Sequence, residues 1–332
     1  MARLPDPPPS PPPPSPTSGA DDRVRFERVG DGLRPQALAM LLTGRRDAGE
    51  HAVRPFLSFA QENDLDLSQL WVAWDGRRMS AAALIVPGVG RTAMLFLSPV
   101  SSSGRVVVSG RLIAHAAAQI DPEEVSLVQA LLDHGQTQQQ RAVEAGGFRF
   151  LADLAYMHRA GKHGDPLPPV RLGDATLTPI LWSESARPLF TTAIEASYEG
   201  TLDCPGLLGL RTTDDILAGH MATGRFRPED WAVWAAADGR PAAVLLLAES
   251  ATGVGVELVY LGVSPFARGH GLAKALMRHA LDRTARHGRG DLVLAVDDRN
   301  APALHLYRGL GFRTSARKTA LIHTPANPAN PG

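Results

Sequence analysis

Three short stretches of the chain, all within residues 256–312, combine side chains and turns suited to chemistry. The first is Val256-Glu257-Leu258-Val259-Tyr260-Leu261-Gly262-Val263, an apolar strand pattern interrupted by one carboxylate. A charge inside such a strand costs free energy unless it is solvated or partnered, so Glu257 is either a functional group or one with a structural hydrogen bond. The second is Arg268-Gly269-His270-Gly271-Leu272-Ala273, which opens a helix whose Ala273, Leu276, Met277, Ala280 and Leu281 share one face. A glycine turn between strand and helix leaves backbone N–H groups pointing outward at the positive end of the helix dipole. That arrangement suits a phosphate or pyrophosphate, and it also suits a plain tight connection. The Gly-Lys-Ser/Thr ending of a triphosphate loop and the three spaced glycines of a dinucleotide fingerprint are both missing. The third stretch runs from Asn300 to Tyr307 and ends in Gly311-Phe312. Asn300 is a good helix N-cap with Pro302 tolerated in the first turn. Tyr307 lies on a helical face with Ala303, Leu306 and Leu310, the pattern of a core aromatic.

Taken together and in order, these stretches resemble the GNAT acetyltransferase superfamily. Arg268-x-x-Gly271-x-Ala273 after Val263-Ser264-Pro265 is similar to that family's pyrophosphate loop, and Asn300-x-x-Ala303-x-x-Leu306-Tyr307 with Gly311-Phe312 to its later segment. The resemblance covers about 228–322 closely and implies an α/β (α+β) fold. Its sheet would be mixed and mostly antiparallel, flanked by helices, with a parallel pair splayed near Val263 and Val296. It implies acetyl-coenzyme A as acyl donor, with pantetheine along Leu261, Gly262 and Val263. The pyrophosphate would lie on the amides of Arg268, Gly269, His270, Gly271, Leu272 and Ala273, with Asn300 a secondary contact. A main-chain N–H near Val263 would polarise the thioester carbonyl. Direct attack by an amine needs that amine uncharged. Glu257 is the base the resemblance suggests, since simple strand parity puts it on one face with Val259, Leu261 and Val263. Tyr307 is the implied acid for the departing thiolate. Tyr198, Glu199, Asp203, Arg211 and the Trp231/Trp234 pair precede the motif where family members line the acceptor site, and their spacing does not separate acceptor contacts from core or surface.

The elements that must position these residues repeat. Strand, hairpin and helix patterns of the second half, including the Asp238-Gly239 turn, have counterparts around Trp71–Leu97, Leu112–Gln119, Val125–Leu132 and Gln136–Phe148. The expectation is two tandem GNAT-like domains, similar to the mycothiol synthase-like arrangement of that family. They would occupy 21–162 and 170–325 around a Gly/Pro linker at 163–169, with a proline-rich tail at 1–20 and a short tail at 326–332, both disordered. Aligned on Leu97-Ser98-Pro99, the first half has Ser102, Arg105 and Val107 where the second has Arg268, Gly271 and Ala273. Gln136 and Val143 stand for Asn300 and Tyr307. The first copy is therefore expected to keep the fold without the coenzyme A site.

Composition limits the alternatives. Of 332 residues, 34 are Lys or Arg and 34 Asp or Glu, so no net field draws the chain to nucleic acid or an anionic membrane. Apolar runs are too short to span a bilayer and no signal peptide is visible, which leads us to expect a cytoplasmic protein. The single cysteine, Cys204, excludes a disulfide framework and reads as a packing residue, and the eleven histidines show no metal spacing, so no metal is expected. Pairing two like units in one chain favours a monomer. The leading reading is transfer of an acetyl group from acetyl-coenzyme A to a small-molecule or peptide amine. The other is a non-catalytic acyl-coenzyme A-binding or structural protein of the same fold.

Overall fold

The computed structural model describes residues 24–161, 167, 169–250, 255–288 and 290–326, so the expected tail at 1–20, all but the first residue of the tail at 326–332, and most of the linker lie outside the described residues. The first half runs β1 (Val24–Arg28), α1 (Arg34–Thr43), α2 (Glu50–Glu62), β2 (Leu70–Asp75), β3 (Arg78–Gly88), β4 (Thr92–Leu97), α3 (Ser103–Ala117), β5 (Leu127–Asp133), α4 (Thr137–Ala145) and β6 (Arg149–Ala160). The second runs β7 (Arg171–Leu172), β8 (Ala175–Thr176), β9 (Pro179–Leu181), α5 (Arg187–Tyr198), α6 (Thr213–Met221), β10 (Arg225–Ala235), β11 (Pro241–Glu249), β12 (Val256–Val263), α7 (Leu272–His287), β13 (Asp291–Asp297), α8 (Ala301–Gly309) and β14 (Arg313–His323).

Twelve strands form one sheet in the order β1-β2-β3-β4-β5-β14-β6-β13-β12-β11-β10-β9. It is mixed and mostly antiparallel, with two parallel contacts, β4 with β5 and β12 with β13. Helices cover it because its strands are apolar where they pass beneath them. Every residue of β11 is buried, so this interior strand reads as a nearly unbroken apolar run rather than an alternation. Residues 175–181 hold two short strands, β8 and β9, with Pro179 opening the second at the sheet edge, where its missing donor is tolerated.

The halves exchange their last strands. β14, which ends the chain's second half, pairs with β5 and β6 of the first, and β6 pairs with β13 of the second. Leu321 on β14 packs in the core of the first half with Leu112 and Val128, while Ala155 and Met157 on β6 pack in the core of the second with Val296 and Leu294. A second contact lies at the β3–β4 turn, where Gly90 sits against α6 with no room for a side chain beside the Asp215 carbonyl and Gly219 N–H.

Candidate functional site

β12 and β13 are in register only at Val256 opposite Leu292 and Glu257 opposite Val293. Beyond Glu257 they separate, and the free edge of β12 borders a cleft of about 410 Å³. Its walls include Leu261, Gly262 and Val263 from β12, Ala295 and Val296 from β13, and Asn300, Ala303 and Tyr307 around α8. At its mouth are Arg268, Gly269, Gly271, Leu272 and Ala273. Gly269 and Gly271 have φ of +80° and +79°, and a Cβ built on either meets nothing within 4 Å. The left-handed turn therefore leaves open space over the first amides of α7, the geometry an anion needs.

Apart from Glu257, the sequence-derived residues are brought together here, with two differences in detail. The Arg268 guanidinium does not extend over the turn; it donates to the carbonyls of Val263 (3.1 Å), Ser197 (3.0 Å) and Glu199 (2.6 Å), tying the end of α5 to the end of β12. His270 is exposed with Nδ1 2.9 Å from the Arg268 carbonyl oxygen, beside the turn rather than in the cleft wall. Leu272 is buried in the core and Ala273 faces the cleft. Asn300 caps α8, its Oδ1 accepting from the Ala303 N–H at 3.2 Å. Tyr307 is 7% exposed and borders the cleft. Burial first, and the nearby Asp203 charge second, push its phenol well above the usual range, so it stays protonated at neutral pH.

Glu257 needs a correction. A β-bulge between Leu246/Leu247 of β11 and Tyr260/Leu258 of β12 inserts one residue and inverts the alternation. Val256 and Leu258 pack toward α7, and so do Leu261 and Val263, while Val259 and Tyr260 pack toward α5. Glu257 thus points to the face opposite Leu261 and Val263, and it does not line the cleft. Burial raises its carboxyl above the ordinary range. Its charge is felt by Tyr156, which the exchanged strand β6 supplies from the first half.

Two further features had no signal in residue spacing. Asp203 lines the cleft, although the motif does not include it. Its Oδ1 accepts from the Asp297 N–H at 2.9 Å, and Asp297 Oδ2 accepts from the Cys204 N–H at 3.3 Å, so the loop after α5 is latched to the end of β13. Cys204 itself is held at φ +45°, and burial pushes its thiol up to about 12, which leaves it inert as a nucleophile. Trp231 and Trp234 are core residues, Trp231 donating to the Leu247 carbonyl at 3.0 Å. In the first half a side chain from α4 reaches the end of β4. Gln139 stands where Ala303 stands in the second half; its Nε2 donates to the Leu97 and Ser98 carbonyls (3.0 and 3.2 Å) and its Oε1 accepts from the Val100 N–H (2.9 Å).

Comparison with known proteins agrees with this geometry. Residues 203–312 match the acetyltransferase (GNAT) family. Streptothricin acetyltransferase of Streptomyces lavendulae is 37% identical over 91 residues, 27% of this chain and 48% of that protein. A mycothiol acetyltransferase of Clavibacter sepedonicus is 36% identical over 106 residues, 32% of this chain and 34% of that one. The chain thus matches about half the length of the first relative and a third of the second. Among solved structures, a GCN5-related N-acetyltransferase from Sphaerobacter thermophilus superposes with TM-score 0.60 at 19% identity, covering 93% of this chain and 98% of the other. A tandem GNAT protein from the clavulanic acid biosynthesis pathway superposes with TM-score 0.50 at 16% identity, covering 92% and 99%. No helix among the described residues is long and apolar enough to cross a membrane.

Proposed function

We propose that this protein, whose residues 203–312 match the GNAT family, transfers an acetyl group from acetyl-coenzyme A to an amine by direct attack. The observation that carries the reading is the cleft between β12 and β13, open at a two-glycine helix start and bordered by a buried, protonated tyrosine. The donor fits these residues. The amides at the start of α7 would hold its pyrophosphate, and the unpaired edge of β12 from Leu261 to Val263 would hydrogen-bond its pantetheine arm. Bound there, it supplies a thioester carbonyl whose developing charge a main-chain N–H of β12 can stabilise.

The chain's own groups then do the proton work. Tyr307, uncharged at neutral pH, is placed to protonate the departing sulfur. Glu257 faces away from the cleft wall, so any part it plays as a base is through water. Streptothricin and mycothiol acetyltransferases act on different acceptors by their names, and we extend to this chain only an amine acceptor of small-molecule or peptide size.

Calorimetric titration with acetyl-coenzyme A, followed by coenzyme A release with an amine panel for wild type and Tyr307→Phe, tests the proposal. Tight binding and amine-dependent release that collapses in the variant are expected. Binding without turnover by any amine would select the non-catalytic reading.

A further inference from the structure

The first half touches the second away from the exchanged strands as well. Its β3–β4 turn, Val89-Gly90-Arg91, lies against α6. The backbones meet without space between them. A Cβ on Gly90 would fall 2.2 Å from the Asp215 carbonyl oxygen and 3.0 Å from the Gly219 nitrogen, and one on Gly219 would lie 3.6 Å from the Val89 carbonyl oxygen. The turn itself is held from behind. Gly90 and Arg91 have φ of +79° and +54°, the Arg91 carbonyl accepts from the Ser126 and Leu127 N–H groups (2.8 and 3.3 Å), and Arg91 Nη2 donates to the Pro122 carbonyl at 2.7 Å. A left-handed residue other than glycine persists only where its surroundings over-determine it. Arg91 Nη1 also stands 4.0 Å from the Asp215 carboxylate. Thr212 Oγ1, at the start of α6, donates to that carboxylate at 2.7 Å and accepts from the Asp215 N–H at 3.1 Å.

From α6 a series of contacts reaches the cleft. His220, next to Gly219, stacks on Tyr260 of β12 with ring centroids 5.5 Å apart, and Leu217 is buried with Phe190 and Ile194 of α5. The Tyr260 hydroxyl lies 2.7 Å from Ser197 Oγ at the end of α5, and the Ser197 carbonyl accepts from Arg268 Nη2 at 3.0 Å. Arg268 Nε in turn donates to the Val263 carbonyl. Ser197, Tyr260, Val263 and Arg268 all line the cleft. Close-packed groups transmit strain, so a displacement of α6 is passed along this series. α7 packs on the other side of β12, with Val256 and Leu258, and takes no part in it.

Resting on the acetyl-transfer reading above, we propose that Gly90 and Arg91 of the first half are positioning residues for the reaction in the second: they set α6, and α6 sets the wall of α5 and β12 against which the thioester is aligned. The half that lacks the glycine turn thus contributes to catalysis without holding the donor.

The test follows coenzyme A release from acetyl-coenzyme A by the full chain with four acceptors, an alkylamine, an amino sugar, an α-amino acid and a dipeptide. Gly90→Ala forces α6 outward, because backbone atoms block the added methyl. It should lower kcat by about ten-fold for any amine that the wild type acetylates, with the calorimetric Kd for coenzyme A within about two-fold, since the amides of α7 stay in place. Gly76→Ala, at φ +58° in the β2–β3 turn with open space around it, carries similar backbone strain without the contact and should leave kcat unchanged. Arg91→Met should lower kcat by a smaller factor, which Arg91→Lys partly recovers. In a His220→Ala background, Gly90→Ala should cost less than about two-fold more, the non-additivity of residues coupled through one stack. Amide hydrogen exchange without donor should quicken at 197–200 and 260–263 in Gly90→Ala and keep its wild-type rate over 274–287. The same exchange measurement on Arg91→Met decides the matter if Gly90→Ala does not fold. Unchanged exchange at 197–200 and 260–263, an equal loss of kcat in Gly76→Ala, or full additivity with His220→Ala would overturn the assignment while leaving acetyl transfer in place. A wild type that binds coenzyme A and acetylates none of the four amines overturns the acetyl-transfer reading, and exchange then decides the link between the halves by itself.

Discussion

Gly262 on β12 and Ser197 on α5 approach so closely that a Cβ on the glycine would fall 2.6 Å from the serine Cβ and nearer still to its hydroxyl oxygen. The same serine oxygen donates to the Ile194 carbonyl at 2.8 Å and lies 2.7 Å from the Tyr260 hydroxyl, so it has little freedom to yield. Gly262→Ala should cost about 1–3 kcal/mol of stability through overpacking and push α5 off the cleft wall. Combining it with Ser197→Gly should recover a large part of the loss, and thermal melts of the four-member cycle check this.

The turn before α7 depends on backbone conformation rather than on side-chain volume. Gly271 lies at φ +79° with open space around it, so Gly271→Val adds strain of about 1–2 kcal/mol and covers the amides. Coenzyme A affinity should therefore fall by more than ten-fold while the melting temperature drops only a few degrees, read by calorimetry and by melting.

His220 supplies an acid-sensitive element. It stacks on Tyr260 at a centroid separation of 5.5 Å, and burial, assisted by Arg211, lowers its imidazole from 6.5 to about 4. The folded state therefore binds a proton less readily than the unfolded chain. Its contribution is complete above pH 6.5 and lost as pH falls toward 4, on the order of 2 kcal/mol. His220→Phe keeps the stack, so urea midpoints between pH 7 and 4 should fall less steeply in the variant than in the wild type.

In the first half, Gln139 satisfies the Leu97 and Ser98 carbonyls and the Val100 N–H. Gln139→Ala should destabilise the protein by about 1–3 kcal/mol by leaving these groups without a partner. Calorimetric stoichiometry should stay at a single coenzyme A per chain in wild type and variant alike, because the glycine turn is also missing there. A second binding event in the variant would show that only the glutamine blocks the site.

Strand exchange makes the halves one folding unit. Removing residues 313–326 deletes the neighbour of both β5 and β6, and with it Leu321 from the first core. The truncated chain should lose its cooperative melt across both halves, whereas the full chain should unfold in one transition. Two separate transitions in the intact protein would contradict this.

Local sequence carried the turn at Gly269 and Gly271, the cap at Asn300 and the helical face of Tyr307, because each depends on a few neighbouring residues and on backbone rules that act within a turn or two. The repeat of like elements was legible for the same reason. The direction of Glu257 was not: one extra residue at the bulge in β12 reverses everything upstream of it, and a bulge is set by pairing with β11 rather than by its own sequence. Nor could spacing bring Asp203 to Tyr307, since a latch between the α5 loop and the end of β13 joins positions nearly a hundred residues apart. The exchange of β6 and β14 belongs to the same class. Each strand's alternation specifies which face it buries, while its neighbours are chosen by the free energy of closing the whole sheet.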